Sequence, residues 1–368
     1  MQRMPKAVDA AMTTSPEDMY HALAARLGDV LPDFEIRHKA GVAAGVNRLK
    51  AERGAVILGH NYMEPALFHS VCDFRGDSLE LSRLAATVSG DPIVFCGVRF
   101  MAETAKILNP DKTVLLPTAK GGCSLAESIT AADVRRLRKR FPGVPVVTYI
   151  NTYADVKAET DICCTSGNAV KVVESLDADR VIFLPDEFLA KNVARETGKR
   201  IIFPTVNGAT SGGLSGNGKS AGDSGELQYE MIGWRGRCEV HEQFTTADIA
   251  TVRRQFPDVL VLAHPECPPD VVEAADFAGS TSAMIRAVQE SDAARYLLLT
   301  ECSMADNIIA ENPAKEMVRL CSVRCPHMNE ITLENVRDAL LHDHWPVDVP
   351  EPTRTKARAS IERMLEIG

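Results

Sequence analysis

VLVLAHPECPPDVVEAADFAGSTSAMIRAV, residues 259–288, opens as an apolar run of strand type and stops at His264 and Glu266. Two groups able to move protons are thus delivered at a strand end, two residues apart and on one face. A polar turn follows, Gly279, Ser280, Thr281 and Ser282, and a helical pattern starts at Ala283. Hydroxyl residues there cap the helix, and the free N–H groups of its first turn can hold an anion. A single strand–loop–helix of this kind is ordinary, but the chain repeats the arrangement three times.

Working outward, GAVILGHNY ends a strand at His60 and Tyr62 and turns through Gly76, Asp77 and Ser78 into a helix. PVVTYINTY ends a strand at Tyr149 and Asn151 and turns through Thr165, Ser166 and Gly167. From His60 to Ser78 is 18 residues; from Tyr149 to Ser166 and from His264 to Thr281 is 17. Asp73, Asp161 and Asp276 precede the three turns, and Met101-Ala102, Leu189-Ala190 and Met304-Ala305 coincide in the second helices. Self-similarity over about 90 residues marks a repeated unit. The expected fold is α/β: three homologous units with small, mostly parallel sheets around a pseudo-threefold axis. Ligands of such sheets bind beyond the carboxyl ends of the strands, so three ends face one centre.

The units read as 55–140, 141–245 and 246–368, preceded by a helical lead-in over 1–54. That lead-in contains a helix start at Ser15-Pro16 and a second helix over 32–53 that ends at Gly54. A last amphipathic helix runs from Thr353 to Ile367. The glycine- and serine-rich stretch 206–227 reads as a surface insertion, with a lid over the site as the alternative.

Length and composition set the class. The 368 residues, 45% hydrophobic and 25% charged, supply ample core for two or three compact units. No apolar run approaches a membrane span and the first residues lack a secretory h-region, so a cytoplasmic protein is expected. A net charge of −9 argues against broad nucleic-acid binding.

Ten cysteines in a reducing compartment are buried hydrophobes, reactive thiols or metal ligands. Cys72, Cys96 and Cys302 sit in or beside apolar runs and read as hydrophobes. Cys163, Cys164 and Cys267 stand near strand-end loops, where a lining role is open. Cys123, Cys238 and Cys325 recur in the loop after the third strand of each unit. Three thiolates gathered by such symmetry suit a soft metal or an iron–sulfur cluster with one position left open. Cys321 and Cys325 form a C-x3-C pair, and spacing leaves open which of them ligates.

Around this trio the strand ends contribute His60, Tyr62, Tyr149, Asn151, His264 and Glu266, and the turns contribute Ser78, Ser166, Ser280 and Thr281. His241, three residues after Cys238, stands near the metal or beside its ligands. Arg99 and Lys106 are cations close in sequence that read as surface groups.

These motifs resemble the quinolinate synthase family. The resemblance runs from about Ala55 to the C-terminus through GHNY, DFRGDSLELSR, VRFMAETAKILNPDK, GCSLAES, TYINT, CEVHEQF, AHPEC, GSTSAMI, CPHMNEITL and KARASIERMLEI. It implies three related α/β domains and a [4Fe-4S] cluster held by Cys123, Cys238 and Cys325, which selects Cys325 over Cys321. It implies condensation of iminoaspartate with dihydroxyacetone phosphate to quinolinate, with loss of phosphate and water, in NAD biosynthesis. L-aspartate oxidase or aspartate dehydrogenase would supply the iminoaspartate. Glu266, with His264 and Tyr62, is expected to move protons. His60, Ser78, Tyr149, Asn151, Ser166, His241, Ser280 and Thr281 are expected to hold substrate. The insertion before Cys238 and the long lead-in depart from the resemblance. Two rival readings stand beside it: a zinc-dependent, aldolase-like lyase using the same thiols and histidines, and an iron–sulfur redox sensor. The sensor lacks the expected basic face or DNA-binding element.

Overall fold

The computed structural model describes residues 13–204, 228–318 and 323–368. The stretch 206–227 and Cys321 lie outside the described residues.

The lead-in is two helices, α1 (Pro16–Leu27) and α2 (Asp33–Arg53). Ser15 caps α1 by accepting the Asp18 N–H at 3.3 Å. Gly54 ends α2 at φ +63°, a conformation glycine adopts without Cβ strain, and Ala55 N–H reaches back to the Lys50 carbonyl.

The first unit runs β1 (Val56–His60), α3 (Pro65–Ser70), β2 (Phe74–Gly76), α4 (Ser78–Ala85), β3 (Ile93–Cys96), α5 (Arg99–Leu108), β4 (Val114–Leu115). Two helices, α6 (Ser124–Glu127) and α7 (Ala131–Arg140), lead to the second unit. That unit runs β5 (Val146–Tyr149), α8 (Ala154–Lys157), β6 (Ile162–Cys164), α9 (Ala169–Glu174), β7 (Val181–Leu184), α10 (Glu187–Glu196), β8 (Ile201–Ile202), β9 (Met231–Gly233). After α11 (Thr246–Gln255) the third unit runs β10 (Leu260–Ala263), α12 (Pro269–Ala274), β11 (Phe277–Ala278), α13 (Thr281–Glu290), β12 (Arg295–Leu299), α14 (Cys302–Glu311), β13 (Glu316–Val318). The chain closes with α15 (Leu333–His342) and α16 (Thr353–Ile367).

Every strand pairing within the three sheets is parallel. The orders are β2-β1-β3-β4, β6-β5-β7-β9-β8 and β11-β10-β12-β13. The central strands β3, β5 and β7 are buried along their whole length, as helix-covered parallel strands must be, which is why they read as unbroken apolar runs.

The three aspartates before the turns have one shared task. Asp73, Asp161 and Asp276 each accept the backbone N–H near the start of their unit's first strand: Ile57 at 2.8 Å, Val146 at 2.7 Å and Val261 at 2.8 Å. Each also meets a cation from the helix preceding that strand: Lys50, Arg138 or Arg253. Sequence period and tertiary latch thus coincide.

The helix after each second central strand packs on the next unit. α5 meets α8, α10 meets α12 and α14 meets α3, a closed cycle that brings the carboxyl ends of the three sheets together.

One difference from the sequence reading concerns the second unit. RIIFP supplies only an edge strand, β8, and β9 inserts between it and β7. With three residues, β9 is too short to show alternation.

Candidate active site at the junction of the three units

One cavity lies at the carboxyl ends. His60, Tyr62, Ser78, Tyr149, Asn151, Ser166, His241, His264, Glu266, Thr281, Cys123, Cys238 and Cys325 all line it. Of the site residues expected from sequence, Ser280 is not among its walls. It serves as the N-cap of α13, accepting the Ala283 N–H at 3.4 Å. Ser78 does not cap α4; Asp77 does, with Glu80 completing a reciprocal capping box, which leaves the Ser78 hydroxyl out of the cap. Cys72, Cys96, Cys163, Cys164, Cys267 and Cys302 are buried away from the cavity walls. Lys106 ties down its own loop through the Pro110 and Lys112 carbonyls, and Arg99 pairs with Glu103.

His60 and His264 are built alike. Nδ1 of His60 accepts the Tyr62 N–H at 3.2 Å, and Nδ1 of His264 accepts the Glu266 N–H at 3.4 Å. An imidazole whose Nδ1 accepts carries its proton on Nε2. For His264 that nitrogen lies 3.3 Å from the Ser166 hydroxyl of the second unit. Burial lowers His60 to about 4 and, with His241 stacked beside it, His264 to about 3. Both are neutral donors near pH 7.

Glu266, 3% exposed, is the hub. It accepts from the Tyr149 hydroxyl and from Nδ1 of His241 at 2.9 Å. Burial alone would raise its pKa. The adjoining His241 ring and the hydrogen bonds from His241 and Tyr149 outweigh burial and bring it below the usual carboxylate range. On its other edge His241 reaches the Thr300 hydroxyl at 3.0 Å and the Tyr62 hydroxyl at 3.4 Å, and Tyr62 also bonds Thr300. Its ring stacks on His264 with centroids 4.4 Å apart. A continuous hydrogen-bonded path therefore joins Tyr62 of the first unit, His241 of the second, Glu266 of the third and Tyr149 of the second. Burial raises both phenols, so they stay protonated.

Sequence reasoning missed Thr300 and Asp77. Thr300 directly follows β12, so the strand-end rule that selected His60 and His264 could have found it. Asp77 was read only as part of a turn.

The thiols occupy equivalent loops. Thr130, Thr245 and Thr332 stand seven residues beyond Cys123, Cys238 and Cys325 and cap α7, α11 and α15 through the N–H of Asp133, Asp248 and Asn335. Cys325 fits that register and Cys321 does not. Burial pushes Cys123 up to about 12 and Cys325 to about 11, and burial, with Glu266 and Cys123 adding to it, raises Cys238 well above the usual thiol range. Among the described residues, no lysine or arginine lines the cavity. Three thiolates there need a positive partner, and a metal centre is the partner their softness selects.

Spacing discriminates between centres. Ligands of one zinc at about 2.3 Å lie within about 4.6 Å of one another. Among the described residues, the His, Cys, Asp and Glu side chains that close are Cys238, His241 and Glu266, whose donor atoms fall within 4.8 Å. Among the described residues, the three cysteines are not such a group.

A triplicated parallel α/β scaffold with thiols and proton carriers around a common cavity defines an enzyme architecture with a group of side chains that could hold a metal. The chain belongs to the quinolinate synthase A family: the family model described as quinolinate synthetase A protein matches residues 44–366. It is 50% identical over 342 residues to quinolinate synthase 2 of Mesorhizobium japonicum, covering 93% of this chain and 96% of that one. It is 51% identical to quinolinate synthase of Agrobacterium fabrum, covering 93% and 90%, and 50% identical to that of Caulobacter vibrioides, covering 91% and 84%. No helix among the described residues is long and apolar enough to cross a membrane.

Proposed function

We propose that this chain condenses iminoaspartate with dihydroxyacetone phosphate to quinolinate, with loss of phosphate and water, as a step of NAD biosynthesis in the cytoplasm. Cys123, Cys238 and Cys325 would hold a [4Fe-4S] cluster. The observation that carries the reading is the convergence of one thiol loop per unit on the cavity that also holds Glu266, Tyr62 and Tyr149. When bound, the cluster supplies a Lewis-acidic iron for a substrate oxygen, nitrogen or carboxylate and for departing hydroxide.

The chain's own residues account for the rest. The substrates are anionic, yet among the described residues no lysine or arginine lines the cavity. Neutral donors hold their carboxylates and phosphate: Nε2–H of His60 and His264, the Asn151 amide, and the Ser78, Ser166 and Thr281 hydroxyls. The Glu266 carboxylate takes the proton beside the carbonyl of the triose. His241 Nδ1–H and Tyr149 O–H hold that carboxylate in place, and Tyr62, tied to Thr300, returns a proton at the far end of the path.

Anaerobic reconstitution, with iron and sulfide analysis, an absorption or Mössbauer spectrum and a quinolinate assay on one sample, tests the proposal. Cys123→Ser should lose chromophore and product together; a colourless, fully active variant sinks the cluster. The closeness of Cys238, His241 and Glu266 favours a second reading, a single zinc in a lyase. Stoichiometric zinc without sulfide in active protein would establish it.

A further inference from the structure

Two buried asparagines occupy one position in successive units. Asn192 on α10 is 1% exposed and Asn307 on α14 is 2% exposed, and each stands two residues beyond the alanine of the repeated pairs Leu189-Ala190 and Met304-Ala305. Their helices pack on the next unit in the cycle. Nδ2 of Asn192 donates to the carbonyls of Pro265 at 2.9 Å and Cys267 at 3.2 Å. Nδ2 of Asn307 donates to the carbonyls of Asn61 at 3.2 Å and Met63 at 2.9 Å. Each pair of carbonyls flanks the one residue of its loop that carries the proton path: Glu266 in the first case, Tyr62 in the second.

A primary amide offers two donors in one plane without charge, which suits two carbonyls on either side of a single residue. The Oδ1 atoms of both amides lack a hydrogen-bond partner among the described residues. Burying an unsatisfied acceptor is unfavourable, so the shared feature is the donor pair and not general polarity. The third junction is built differently. The corresponding position in α5 is Thr104, which bonds within its own helix, while Glu103 accepts the Ala154 N–H at 2.8 Å. The double-donor grip is therefore used where the gripped loop presents Tyr62 or Glu266.

We infer that Asn192 and Asn307 are positioning residues for the proposed reaction: each, from the neighbouring unit, fixes the loop that aims Glu266 or Tyr62 into the cavity. The inference rests on that reaction for its readout. A misplacement of about 1 Å at a reacting group costs about 100-fold in rate.

The test compares wild type, Asn192→Leu, Asn307→Leu and Asn192→Asp after identical anaerobic reconstitution, reading iron, sulfide, visible absorption, kcat and KM. Leucine keeps the volume and removes both donors. Aspartic acid, protonated among carbonyls, keeps one. The leucine variants should retain the cofactor and lose about 10- to 100-fold in kcat, with KM within about threefold, the signature of an interaction that serves the transition state. Asn192→Asp should fall between leucine and wild type, a graded order that simple space-filling does not produce. A leucine variant with wild-type kcat, a rise in KM alone, or activity lost only in proportion to cofactor overturns the inference. If the leucine variants do not fold, Asn192→Asp decides: reduced kcat at full cofactor supports the grip, and wild-type kcat overturns it. Cofactor-loaded wild type that makes no quinolinate instead overturns the reaction, and the inference falls with it.

Discussion

Glu266 shows how much one side chain depends on neighbours from other units. Its carboxylate stays ionised, despite deep burial, because Tyr149 and His241 both donate to it. Glu266→Gln keeps the shape and removes the base, so kcat should fall by about 10²- to 10⁴-fold while iron and sulfide content is unchanged. A variant retaining more than about a tenth of wild-type kcat would remove Glu266 from that role. His69 makes a separate case, outside the cavity walls. It is buried, and desolvation together with Arg75 and Arg26 lowers its pKa well below the usual histidine value. A group neutral when folded contributes stability above its unfolded pKa of about 6.5, and the contribution is lost as pH falls below that value. Wild type should therefore lose about 1.4 kcal/mol more than His69→Gln between pH 7.5 and 5.5, read from denaturant midpoints. Equal losses in the two proteins would refute that assignment.

At the scale of elements, the recurrent latch between each unit's first strand and the aspartate that follows it is the structural meaning of the sequence period. Asp161 receives the Val146 N–H and meets Arg138. Asp161→Ala leaves a strand N–H without its partner and should cost about 1–3 kcal/mol in urea unfolding. The same substitution at Asp276 should cost a similar amount, because the geometry is the same; a loss under about 0.5 kcal/mol at both would show that water replaces the carboxylate. The last helix is a related case. α16 buries Ala357, Ser360, Ile361 and Met364 against the second unit, and Ser360 bonds the Lys157 carbonyl. Its amphipathic spacing announced a helix; the surface it covers was not announced.

Over the whole molecule, the proposed centre, held by three loops from three units, would crosslink the scaffold. Whatever binds the folded state alone stabilises it by mass action. Stripping the cofactor with a chelator should lower the unfolding temperature by several degrees and leave the far-ultraviolet spectrum nearly unchanged; an equal unfolding temperature for both forms would mean that the loops hold themselves. The architecture was legible because its signals are local and repeated. Apolar runs covered on both faces, turn aspartates at one spacing and a cysteine in the loop after each unit's last strand all survive in one dimension. Thirteen of the fourteen expected site residues line one cavity for the same reason, since strand ends are readable and parallel sheets bind ligands there. β9 escaped because three residues carry no period. The sequence alone determined three copies of a unit and the residues each copy sends to its carboxyl edge. Only the tertiary structure decided which copy's asparagine grips which copy's loop, and which histidine meets which carboxylate. Those pairings join residues far apart in the chain, and they follow from the direction in which the cycle of units closes, which no local pattern encodes.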